Sequence, residues 1–165
     1  MGLFHKIKGC FLLSGVILIL LSAADTALGQ VSGVSVANDL TFGTVLGGVP
    51  KKIDKATPGS AAEFLVTGIA GSDVTIEFTL PTYMNDGTYN MQMIFDNTDC
   101  AMDSSASPDQ TSPDYDDLDP WDVISYTIGS GGIAIWLGGK VVPKLLQDSG
   151  NYTADIVITV TFIAR

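Results

Sequence analysis

The sequence predicts an all-β sandwich, and three observations carry that expectation. Apolar and polar residues alternate with period two in several short runs, the pattern of a strand with one buried face. Glycine and proline punctuate these runs, 18 and 7 of them in 165 residues, as turns between strands require. No stretch after residue 29 shows the apolar spacing of a helix longer than a turn or two. A closed barrel is the second architecture compatible with the pattern.

Taken in order, residues 1–29 read as an export signal. Lys6 and Lys8 precede an apolar run from Cys10 to Leu21, and Ala27-Leu-Gly29 offers a small-residue cleavage site. That run of about a dozen residues is shorter than the roughly 20 that a membrane helix needs. The expectation is an exported protein, in the periplasm, on the cell surface or in a secreted fibre, with residues 30–165 forming one domain around one core.

Charge and residue counts exclude several functions. The net charge is −10, and losing the signal removes two lysines against one aspartate. An acidic domain is a poor ligand for nucleic acid, whose phosphates need a basic face. Membrane contact is expected only through export. His5, the single histidine, lies in the signal, so residues 30–165 cannot assemble a Ser-His-Asp triad, a Cys-His pair or an ordinary zinc site. An enzyme is not expected; paired carboxylates are the one catalytic chemistry left. Cys100 is the only cysteine after the signal, and its thiol is either buried, free or bridged to another molecule.

Residues 30–38 form a short extended segment with Val34 and Val36 on one side. Residues 40–46 read as a first core strand stopped by Gly47, Gly48 and Pro50, and Lys51, Lys52 and Lys55 as a solvated loop. Residues 61–68 and 73–80 are successive strands, the second turning Val74, Ile76, Phe78 and Leu80 inward. After the Asn85-Asp-Gly87 turn, residues 88–95 alternate again, with Tyr89, Met91, Met93 and Phe95 on one face.

Residues 96–122 differ in kind, with nine aspartates, no lysine or arginine and three prolines. They read as a solvated, partly disordered acidic insertion. Within it Asp114, Asp116, Asp117 and Asp119 could supply hard oxygen ligands to calcium, although the glycine and distal glutamate of an EF-hand loop are missing. No other cofactor is expected. Residues 121–128 and 133–137 are two further strands whose tryptophans read as core or sheet-face residues, and residues 140–149 form a connection. The last strand is the strongest. Tyr152, Ala154, Ile156, Ile158, Val160 and Phe162 point one way, and Thr153, Asp155, Val157, Thr159 and Thr161 the other. Seven or so short strands of this kind suit an immunoglobulin-like β-sandwich.

Four pieces in order carry a family resemblance: Leu40-Thr-Phe-Gly-Thr-Val45; Ala61-Ala-Glu-Phe-Leu-Val-Thr-Gly68 with Val74-Thr-Ile76; Ile135-Trp-Leu-Gly-Gly139; and Gly150-Asn-Tyr-Thr-Ala-Asp-Ile-Val-Ile-Thr-Val-Thr-Phe162. The chain resembles a family of exported bacterial domains related to spore-coat-U-type and archaic chaperone-usher pilins. The resemblance implies a sandwich lacking its last strand, which a periplasmic chaperone supplies first and a neighbouring pilin-like subunit supplies later. It implies an acceptor groove lined by Phe42, Ile156, Ile158, Val160 and Phe162, and donor residues Val31, Val34 and Val36. The chain departs from the pattern in its short segment before Leu40, its lack of a disulfide and its long acidic insertion. The alternative is therefore a self-contained periplasmic or surface binding module that uses the acidic, calcium-binding loop.

Overall fold

The computed structural model describes residues 32–163. The expected export signal and Val31 lie outside the described residues. Among these residues there are twelve strands and no helix. Alternation explains the clearest of them. β3 (Ala62–Thr67) buries Ala62, Phe64 and Val66, and β4 (Asp73–Thr79) buries Val74, Ile76 and Phe78. Phe64 and Phe78 meet across the core with ring centroids 5.8 Å apart.

Three antiparallel sheets enclose that core. The largest runs β1 (Gly33–Asn38), β3, β10 (Ile133–Leu137), β7 (Cys100–Asp103), β8 (Tyr115–Leu118). A second runs β2 (Lys51–Ile53), β11 (Gly139–Val142), β6 (Asn90–Ile94), β5 (Tyr83–Asn85). The third places β4 between β12 (Val157–Phe162) and β9 (Ile124–Thr127). One apolar cluster takes residues from all three sheets, which makes the architecture an all-β sandwich. Trp136 is buried in a second, small cluster with Ala101 and Ala134, so β10 is covered on both faces.

Several expectations need correction. Residues 40–46 form no strand: Gly43 sits at φ +59°, outside the extended region, although Phe42 is buried in the core. Lys51 and Lys52 belong to strand β2, where Lys52 lies opposite Lys140 of β11 and pairs with Asp99 at 2.9 Å. β11 likewise replaces the start of the expected connection over residues 140–149.

The acidic insertion contributes two strands, β7 and β8. Its aspartates cap backbone amides in tight turns, which composition cannot reveal. Buried Asp103 accepts from the amides of Ser105 and Asp109, and Asp109 accepts from that of Thr111. Cys100 is fully buried in β7, and that burial pushes its thiol up to about 12, so of the three expected states it occupies the buried one.

Candidate functional site

The last strand is where the sandwich is incomplete. Along residues 152–162 the expected alternation is present, but its inward side stays half wet. Tyr152, Ala154, Ile156, Ile158 and Val160 lie partly buried against the core, and Phe162 is 37% exposed. The corresponding side chains of β4 are buried to 7% or less.

The backbone of β12 has the same vacancy along one side. Among the described residues only β4 pairs with it, in a register running from Val157↔Thr79 to Phe162↔Val74. Ile163 N–H donates to Asp73 O at 2.9 Å, one step further in that register. Bonding alternates along an antiparallel ladder, so residues 157, 159 and 161 are bonded to β4. The amides and carbonyls of Ile158, Val160 and Phe162 therefore point to the unpaired edge.

β1 shows the matching defect from the other sheet. Val34 lies opposite Val66, and Val36 opposite Phe64. Residues directly opposite on a sheet project from the same face, so both valines face the core side. They are nevertheless 41% and 59% exposed, with no strand among the described residues covering them.

A groove of about 1090 Å³ runs from Val36 of β1 to Ile156, the residue before β12. Val36 and residues 38–47 line it on one side and residues 147–156 on the other, over a floor that includes Phe64, Met91, Met93 and Val141. Neither wall is a continuous strand. The first is stopped by Gly43, and the second joins the second sheet through a bridge from Thr153 to Asn85 and a hydrogen bond from Gln147 to Asn90 O. Gln147 fixes its turn by donating to the Tyr152 hydroxyl at 2.6 Å, which itself donates to Asp148 O at 2.9 Å.

The expected acceptor residues fall on this site in two groups. Phe42 and Ile156 line the groove, while Ile158, Val160 and Phe162 continue from it along the unpaired edge of β12. Of the expected donor residues, Val34 and Val36 are held in their own sheet by β3, with Val36 on the groove wall. Sequence reasoning missed Met91, Met93 and Met84 as groove residues. The alternation of Met91 and Met93 marked a buried face, but nothing local in it says what lies opposite.

The four aspartates expected to bind calcium are engaged separately. Asp116 and Asp117 both pair with Lys55, at 2.9 and 2.5 Å. Asp114 accepts from the amide and hydroxyl of Ser104, and Asp119 from the amide of Trp121. Among the described residues, no three acidic, histidine or cysteine side chains converge as a metal site. Trp121 is exposed on one face, its indole donating to Phe95 O at 3.0 Å.

No protein-family model matches this chain, and no curated protein matches its sequence.

Proposed function

We propose that this chain is an exported structural subunit of a cell-surface fibre, an immunoglobulin-like sandwich short of one strand that is completed by a strand from another chain. The observation that carries this reading is β12, whose inward side chains are only partly buried beside an edge that no other described strand pairs, next to an open groove with an apolar floor. An edge with a buried floor beside it is a template for strand addition: backbone bonds supply affinity, and alternate side chains fill the floor. The completing strand comes from a chaperone before assembly and from a neighbouring subunit after it. The alternative, a self-contained surface or periplasmic binding module, is favoured by one observation, the pairing of β1 with β3 in its own sheet.

Hydrogen exchange separates the two. A peptide copying residues 30–39, added at 100 times its Kd, should slow exchange at the amides of Ile158, Val160 and Phe162 by about 100-fold. Those of residues 157, 159 and 161 should change little. No slowing at the first three amides, or slowing confined to β3, would refute strand addition at β12.

A further inference from the structure

Resting on the reading that the groove takes a strand, we infer that its preferred occupant is a basic strand of a different protein rather than residues 30–39 of a second copy. The groove is lined by three exposed carboxylates, Asp39, Asp148 and Asp155, and by no lysine or arginine. None of the three is engaged in an ion pair or a side-chain hydrogen bond among the described residues.

The two nearby lysines are outnumbered. Lys51 donates from its ammonium to Thr44 O of the first wall at 3.2 Å, and Lys144 sits on the turn that leads into the second. Asp86 lies under Gly150 of the second wall and adds a fourth carboxylate.

Side chains of an added strand alternate between floor and solvent. Those turned to Phe42, Met91 and Met93 must be apolar, and those turned outward pass the acidic rim. Lysine or arginine at the outward positions complements that rim and speeds encounter. Residues 30–39 hold no cationic side chain, and they end in Asp39 itself. Val34 and Val36 suit the floor, but the outward positions 33, 35 and 37 offer the rim nothing.

Three peptides test this against the purified chain by fluorescence anisotropy: residues 30–39 unchanged, the same with Gly33→Lys, Ser35→Lys and Ala37→Lys, and the same with glutamate at those positions. At low ionic strength the lysine peptide should bind about tenfold tighter than the unchanged one, and the glutamate peptide weakest. The spread should collapse at about 0.5 M salt. It should also collapse in the Asp39→Asn, Asp148→Asn, Asp155→Asn variant, whose replaced side chains are all exposed. Equal binding by all three peptides at low salt, or tightest binding by the glutamate peptide, overturns the basic-partner inference and leaves the groove reading intact. Binding by none overturns the groove reading itself, and this inference with it.

Discussion

Replacing Lys55 with methionine removes the cation that ties the acidic segment to the sandwich. Lys55 is 9% exposed, and its ammonium places all three protons: on Thr98 O at 2.6 Å, on Asp117 Oδ1 at 2.5 Å and on Asp116 Oδ1 at 2.9 Å. Burial alone would lower its pKa, but the hydrogen bonds to Asp117 and Asp116 outweigh burial and hold it above the ordinary 10.5. Asp116 is lowered from 3.8, the Lys55 hydrogen bond being the largest cause.

Hydrogen bonds to charged groups contribute about 1.5–3 kcal/mol where solvent is excluded. Both carboxylates are more than half exposed, so screening reduces each pair to about 0.5–1 kcal/mol. With the Thr98 bond included, Lys55→Met should cost about 2 kcal/mol, or roughly 6 °C in the melting midpoint. Methionine keeps the buried stem, so little of this is lost packing.

The pH dependence has a definite sign. The raised lysine contributes fully below its unfolded pKa and loses that contribution as pH rises through its folded value. The depressed aspartate contributes above its unfolded pKa and loses that contribution as pH falls through its folded value. Calorimetric melts should therefore show the parent ahead of the variant between about pH 5 and about pH 10, with the gap closing at both extremes. Identical midpoints across that window, with no coupling between Lys55→Met and the Asp116→Asn, Asp117→Asn pair, would refute the assignment of Lys55 as the tether.

Other sites give sharper readouts. Cys100, buried and pushed up to about 12, should resist thiol reagents in the folded chain at neutral pH and react at once in denaturant; a disulfide-linked dimer on a non-reducing gel would contradict its burial. Phe42→Ala should cost about 3–4 kcal/mol in denaturant unfolding, as expected for a core residue and not for a loop side chain, and a loss below about 1 kcal/mol would show that the groove floor does not depend on it. Gly129→Ala should destabilise by at least about 2 kcal/mol, because its new Cβ would lie 1.7 Å from Ser104 O, a backbone atom that cannot swing aside; a neutral result would mean that the turn and the acidic segment are not in contact.

Strands with one wet face were legible in the sequence because their period is visible residue by residue. β3, β4, β6, β10 and β12 all lie within runs that alternation or apolar content marks out. Elements whose residues serve a distant partner were not. Lys52 in β2 points to Asp99, 47 positions on, and charge alone made it look solvated. β7 and β8 were hidden because aspartate usually marks solvated loops, whereas here Asp103 and Asp109 tie down the backbone between the strands. Conversely, Leu40, Phe42 and Leu46 have the composition of a strand, and the positive φ of Gly43 prevents one. The groove followed the same rule. The inward side chains from Tyr152 through β12 could be named from alternation, but their half-buried state depends on what does not lie beside them, and no local pattern records that.

The wet inner face of β12 also affects how the domain responds to denaturant. Heat-capacity change and the denaturant slope both follow the surface newly exposed on unfolding. Six side chains, three leading into β12 from Tyr152 and three within it to Phe162, are only partly buried when the chain is folded, so they add less to either quantity than full burial would. The uncompleted domain should unfold with a shallower slope and a flatter stability curve than its length suggests, and completion by a strand should steepen both. A plain urea titration thus reports on the state of the groove without any label or ligand signal.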